Sequence, residues 1–462
     1  MIPLPFMHGY VVALLGLGRS GLAAARALQA SGAELWAWDD GEDARAKAAA
    51  AGVPLVDLAA ANWHEPVSLV LSPGIPHTHP KPHPVCELAR RAGVEIIGDI
   101  ELLGRADPDA RFVGITGTNG KSTTTALIGH VMQLARRQVE VGGNLGPPVL
   151  AFDPVGSEGF YVLEMSSYQL ELTRSITFDV AVLLNISPDH LDRHGGMDGY
   201  VAAKRQIFRR QVKPRTAVVG IDDAVSAGIC AELQAKGDQR VLPVSAERPA
   251  PGGVYVRDGV LIDDSQGGAV AMIDLREVER LPGRHNWQNA AAAYATCVAV
   301  GVDPTVVTAC IRSFPGLPHR QERAAEAGGI VFVNDSKATN ADATAKALAC
   351  YEPIYWIVGG RPKETGLDGL EPFFPRIAEA FLIGEATEAF ARKLQGNVAF
   401  QRCGTLERAT EAAFASARQA GRGGAVVLLS PACASFDQFA NFEARGDAFR
   451  ALARAIAERE AA

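Results

Sequence analysis

Short apolar runs separated by glycine-bearing turns and alanine-rich amphipathic stretches recur along the whole chain. Residues 10–15 predict a buried strand, followed by a Gly-Leu-Gly-Arg-Ser-Gly turn and a helix over 20–30. Residues 34–38, 67–71 and 94–97 predict three more strands; the first of these runs into Asp39-Asp40-Gly41 and the second into Ser72-Pro73-Gly74. Uninterrupted apolar strands that alternate with helices belong to parallel sheets covered by those helices.

The same pattern restarts near Arg111. A strand over 112–115, a turn over 116–122 and a helix over 121–135 come first, and further strands end at Glu164 and Asn185. Residues 252–273 predict a small β excursion and residues 286–300 a long alanine-rich helix. Two prolines in the segment 314–318 suit a linker. Beyond it, strands are predicted over 330–333, 354–358, 381–383 and 425–429. There is no low-complexity tract and no short-period repeat. The expected architecture is α/β, as three consecutive α/β domains over residues 1–105, 106–315 and 316–462.

Composition narrows the function classes. Of 462 residues, 45 are Lys or Arg and 52 are Asp or Glu, a formal charge of −7. Without a basic block the chain is not expected to bind nucleic acid, whose phosphates demand a positive face. No apolar run approaches the roughly 20 residues of a membrane span, and the N-terminus lacks a charged leader region. The seven cysteines form no CxxC pair, which argues against zinc and disulfide scaffolds and for small core residues in a reducing cytoplasm.

The candidate chemistry lies at strand ends. Gly117-Thr118-Asn119-Gly120-Lys121-Ser122-Thr123 sits between a predicted strand and a predicted helix. Such a turn aims backbone N–H groups and a helix N-terminus at an anion, with Lys121 for terminal phosphates and Ser122 for a divalent cation. The spacing is GxxGKS, a compressed form of the GxxxxGK[ST] loop. Glu164 ends the next strand as a candidate carboxylate ligand, and ionisable residues including His190 follow the strand after that. The Gly16-x-Gly18-x-x-Gly21 turn, with Asp39 behind it, meets the conditions for dinucleotide binding. The unit stops at about half the size a dinucleotide needs, so a mononucleotide diphosphate is equally served. Three polar loops follow third-unit strands, at 334–340, 359–363 and 430–437, where ligands bind in open α/β sheets.

Taken together, GITGTNGKST, NISPDHLDRHG, HNWQNAAAA, GLPHRQE, VNDSKATN and LSPACASFDQFANFEARG resemble the Mur ligase family over the whole chain. The resemblance implies an N-terminal Rossmann-like UDP-binding domain, a central P-loop ATPase-like domain with a mainly parallel sheet, and a C-terminal Rossmann-like domain for the amino acid. Its activity would be ATP-dependent amide ligation of D-glutamate to UDP-N-acetylmuramoyl-L-alanine, in the cytoplasm and as a monomer. It implies ATP contacts from the loop residues 117–123, Asn286, Asn289, Arg320 and Asp335, and a catalytic role for Lys337 near the transferred phosphate. Ser122, Glu164, His190 and a CO₂-carbamylated Lys204 would hold two Mg²⁺ ions. Gly18, Arg19, Ser20, Asp39, Ser72, Gly74 and Asn144 would meet the UDP substrate, and Thr339, Lys363, Ser435 and Phe442 the D-glutamate. Where some members carry Asp-Thr-Arg, this chain has Asp39-Asp40-Gly41, so no arginine is available there for the uracil. The residues leave open three other readings: a folate-directed ligase, a nucleotide switch without ligation, and an NAD oxidoreductase.

Overall fold

The computed structural model describes residues 1–362 and 366–461. Its described residues form two compact units, Met1–Leu275 with Trp287–Ser313, and Arg276–Asn286 with Phe314–Ala462. The first unit holds two sheets. One is fully parallel, in the spatial order Glu34–Trp38, Val11–Leu15, Ser68–Leu71, Glu95–Ile97. The second has nine strands, and the seven from Val139–Gly143 to Val254–Arg257 are parallel. Val260–Asp263 and Val270–Asp274 extend one edge antiparallel, which accounts for the β excursion.

The central strands are buried along their length, as in Phe160–Glu164 and Val180–Leu183. Helices cover both faces, so each strand position faces an apolar layer and the period-two signal disappears. One hydrophobic cluster runs from Val12, Leu28 and Ile100 near the first sheet to Tyr161, Leu183 and Val219 of the second. The 3₁₀ turn Val149–Ala151 of the second region is pinned to the N-terminus, where the Ile2 amide donates to the Leu150 carbonyl at 3.1 Å.

The second unit carries a six-stranded sheet in the order Glu322–Ala327, Ile330–Asn334, Val426–Leu429, Ile354–Gly359, Ile377–Ile383, Phe400–Gly404. All its pairs are parallel except the first. Clusters on the two faces, one around Trp356 and one around Phe332, Phe381 and Phe449, sandwich the sheet. The three mostly parallel sheets match the expected α/β class. Among the described residues no helix is long and apolar enough to cross a membrane.

Candidate active site

The phosphate loop is built by backbone necessity. Strand Arg111–Thr116 is an interior strand, third from one edge of the nine-stranded sheet, and helix Lys121–Leu134 starts five residues on. Gly117 and Gly120 take φ values of 153° and 85°, where a side chain is strained. A Cβ on Gly120 would lie 2.2 Å from the Asn289 Oδ1. Neighbouring loops hold the turn. The Thr118 amide donates to the Asn185 carbonyl at 2.9 Å, and the Asn119 amide to the Asn185 Oδ1 at 2.8 Å. The Thr118 hydroxyl lies 3.1 Å from that of Tyr200.

Two lysines converge on this loop. The Lys121 ammonium donates to the carbonyls of Gly117 (2.9 Å) and Thr118 (2.7 Å). Lys204, in the last turn of helix Met197–Arg205, donates to the same Gly117 carbonyl at 2.7 Å and lies over the Tyr200 ring. Only 2% of Lys204 is exposed. Burial, reinforced by the neighbouring Lys121 charge and opposed by Asp189, pushes its ammonium well below the usual lysine range.

Glu164 is in register with Ile115 and Gly143, at the carboxyl ends of three adjacent strands. Its Oε1 accepts from the Asn144 side chain at 2.8 Å, while its buried Oε2 has no hydrogen-bond partner. A buried carboxylate oxygen without a donor is costly and fits a cation-binding position. Among the described residues no group of three or more His, Cys, Asp or Glu is gathered for a metal. His190, at φ 52°, precedes the short helix Leu191–His194 and packs its ring 5.3 Å from that of Tyr168. Four residues on, the buried His194 bridges the Ser167 hydroxyl (2.8 Å) and Glu171 (2.9 Å). Arg193 lies over the Tyr168 ring and donates to the Gly74 carbonyl at 2.7 Å. That bond ties the first sheet's Ser72-Pro73-Gly74 loop to the His190 segment.

At the first sheet, Gly18 precedes helix Arg19–Ala30. Gly16, at φ 97°, leaves room for Ser72, whose hydroxyl donates to the Gly16 carbonyl at 3.1 Å. The Asp39 oxygens accept from the amides of Leu17 (2.7 Å) and Gly41 (2.8 Å), fixing the turn that the motif predicts. Arg45 lies over the Trp38 ring and donates to the Asp39 and Asp40 carbonyls, placing a guanidinium beside the segment that lacks the Asp-Thr-Arg arginine. Arg19 reaches the Gly146 carbonyl at 2.5 Å, two residues from Asn144.

In the second unit, Asp335 follows strand Ile330–Asn334 and accepts from the Gln321 amide (3.2 Å) and the Ser430 hydroxyl (2.8 Å). Burial pushes its carboxyl up to about 7, against the pull of those bonds and of Arg320. Lys337 places its ammonium 3.8 Å from the centre of the Phe442 ring. The Thr339 amide donates to the Lys337 carbonyl, and the buried Ser435 accepts the amides of Gln438 and Phe439 at its carbonyl. Asn286 donates to the Pro282 carbonyl at 2.8 Å. Thr123 lies in the first turn of the phosphate-loop helix, and Lys363 lies outside the described residues.

One residue here has no counterpart among the sequence candidates. Arg445, 1% exposed, donates to the Ser336 hydroxyl and carbonyl and to the Cys433 carbonyl. The Ser336 hydroxyl in turn donates to the Phe442 carbonyl. Arg445 thus clamps together the 334–340 and 430–437 loops and the start of the helix carrying Phe442. It lies within helix Phe442–Ala461, and its place three residues after the candidate Phe442 was the available signal.

A family model described as Mur ligase middle domain matches residues 115–297. Over its full length the chain is 55% identical to the UDP-N-acetylmuramoylalanine–D-glutamate ligase of Rhodospirillum rubrum, covering 100% of this chain and 98% of that protein. The chain belongs to the UDP-N-acetylmuramoylalanine–D-glutamate ligase family. The ligase is also 52% identical to the enzyme of the same name from Phenylobacterium zucineum, over 100% of this chain and 99% of that one. Among solved structures, the ligase superposes on UDP-N-acetylmuramate–alanine ligase MurC of Thermotoga maritima with a TM-score of 0.57 at 18% identity, covering 97% and 98% of the two chains. MurF ligase of Thermotoga maritima in complex with ADP gives 0.56 at 18% identity, over 100% and 97%. At such identity these two likenesses concern the fold, and they agree with the three-sheet α/β architecture.

Proposed function

We propose that the chain joins D-glutamate to UDP-N-acetylmuramoyl-L-alanine at the expense of ATP, releasing ADP and phosphate in peptidoglycan precursor synthesis. The observation that carries the chemistry is the convergence of Lys121 and Lys204 on the Gly117 carbonyl. A carboxylate is a poor electrophile. Transfer of the terminal phosphoryl group to it gives an acyl phosphate. Attack by the D-glutamate amine then forms a tetrahedral intermediate, which expels phosphate as the amine loses its proton. Negative charge accumulates in both steps, so fixed cations and oriented N–H groups stabilise the transition states.

Lys121 and the amides of 117–123 hold the ATP phosphates, and Asn289 packs against Gly120 at the loop's back. Asn286, Arg320 and Asp335 complete the nucleotide contacts, and Lys337 serves the transferred phosphate. The donor set of Ser122, Glu164, His190 and Lys204 suits two Mg²⁺ ions, which when bound would neutralise phosphate charge. The suppressed Lys204 ammonium supports carbamylation: a neutral amine can add to CO₂, losing a proton and becoming an anionic oxygen ligand. Gly18, Arg19, Ser20, Asp39, Ser72, Gly74 and Asn144 receive the UDP substrate. Thr339, Lys363, Ser435 and Phe442 receive D-glutamate. The corresponding domains are residues 1–105, 106–315 and 316–462, in a monomer working in the cytoplasm.

Purified protein with ATP, Mg²⁺ and UDP-N-acetylmuramoyl-L-alanine is expected to release phosphate only when D-glutamate is added. Equal turnover with L-glutamate or a diamino acid would overturn the substrate assignment.

A further inference from the structure

Arg320 stands between two strained residues. His319 and Gln321 take φ values of 62° and 46°, a left-handed region in which a residue bearing a Cβ is disfavoured. The Arg320 amide closes the turn on the Leu317 carbonyl at 3.3 Å. Strain of this kind persists only where the surroundings hold it in place, and both neighbours of the arginine are held.

His319 is fixed on one side. Its amide donates to the Glu322 Oε2 at 2.9 Å, and its carbonyl accepts the Lys337 amide at 3.1 Å. Its Nδ1 lies 3.1 Å from the side-chain nitrogen of Asn334. A Cβ on Gly446 would come within 2.1 Å of the same ring atom, so the imidazole rests against the backbone of helix Phe442–Ala461. Gln321 is fixed from three other directions. Its amide donates to the Asp335 Oδ1 at 3.2 Å. Its side-chain Nε2 lies 3.2 Å from the His285 Nε2, and its Oε1 accepts from the Tyr351 hydroxyl at 3.4 Å. The side-chain amide is used both ways, as donor to the imidazole and as acceptor from the phenol. His285 precedes Asn286 in the first turn of helix Arg284–Ala299, and Tyr351 precedes strand Ile354–Gly359. One side chain thus joins three segments that are remote in sequence.

Glycine or asparagine would take this backbone at lower cost. What glutamine adds is the reach of its amide to His285 and Tyr351. We propose that Gln321 is a positioning residue that presents Arg320 to the nucleotide, by pinning the left-handed turn to His285, Asp335 and Tyr351. The inference rests on the reading of Arg320 as an ATP contact. Ordering the turn before the ligand arrives spares the binding step that entropic cost.

Calorimetric binding of MgATP to the full chain tests this. Gln321→Asn keeps a residue that tolerates the left-handed backbone but is one methylene too short to span His285 and Tyr351. It should bind MgATP about three- to tenfold more weakly, the worth of a lost hydrogen bond or two, with its urea unfolding midpoint little changed. In an Arg320→Ala background the same substitution should alter the affinity less than about twofold, because Gln321 acts through the arginine. Wild-type affinity in Gln321→Asn, whatever its stability, would overturn the proposal alone, as would an undiminished effect in the Arg320→Ala background. An Arg320→Ala chain that binds MgATP as the wild type does would overturn the nucleotide reading and the proposal with it.

Discussion

Lys121 and Lys204 donate to one and the same carbonyl, that of Gly117, at 2.9 and 2.7 Å. Burial, reinforced by the repulsion between the two ammonium groups, drives Lys204 toward neutrality. Replacing Lys204 with Ala should leave a nearly inactive enzyme that short carboxylic acids partly rescue by filling the carbamate's place. Full activity of the variant without additive would refute a ligand role for this lysine. Labelled bicarbonate followed by NMR would report the modification directly.

Lys121 and the Gly16–Gly21 turn follow strands of different sheets. Lys121→Ala should abolish phosphate release while leaving the affinity for UDP-N-acetylmuramoyl-L-alanine nearly unchanged by calorimetry. A parallel loss of that affinity would mean the nucleotide and UDP sites are not divided between the two sheets.

Gly120 combines a φ of 85° with a Cβ position 2.2 Å from Asn289. Gly120→Ala should therefore destabilise the fold by about 1–3 kcal/mol in denaturant titration. It should also raise the KM for ATP, because relief requires the loop or Asn289 to move.

Asp335 titrates near 7 in the folded chain and at an ordinary carboxylate value, near 3.8, when unfolded. Its folded value is raised, so the native state holds the proton longer, and this contribution to stability is lost as pH rises from the unfolded value through about 7. Asp335→Asn removes the titration. The stability of the variant relative to wild type should climb across that interval and level off above it, as read from urea unfolding at a series of pH values. A difference independent of pH would show that the carboxyl is ionised throughout.

Arg445 satisfies three acceptors from two loops. Lysine can reach fewer of them, so Arg445→Lys should raise the KM for D-glutamate more than it raises the KM for the UDP substrate. Steady-state kinetics with each substrate varied in turn would check this.

The sequence made the parallel cores legible because strands such as Phe160–Glu164 and Ile354–Gly359 are continuous apolar runs. It concealed the edges. Glu322–Ala327 and Phe400–Gly404 lie at the two ends of the third sheet with half-exposed, polar or alanine-rich faces. Val139–Gly143 ends in two glycines, where a Cβ on Gly142 would meet the Phe152 ring at 2.6 Å and one on Gly143 the Glu164 carbonyl at 2.5 Å. The strand expected to end at Asn185 stops at Leu183, since Asn185 turns its side chain to Asn119 of the phosphate loop. Within the candidate site, the loop motifs were legible because their glycines mark turns that the backbone does adopt, as at Gly117 and Gly120. The bonds that hold these loops join segments far apart in the chain, as Arg445 does for Ser336, and a motif read locally does not show which residues will meet.

The doubly engaged Asp39 has a bearing on inhibitor chemistry. Because each of its oxygens already anchors a backbone amide of the turn, a cationic group aimed at this carboxylate would have to compete with the bonds that shape the turn. Compounds that instead stack beside the Arg45–Trp38 pair would leave those bonds intact.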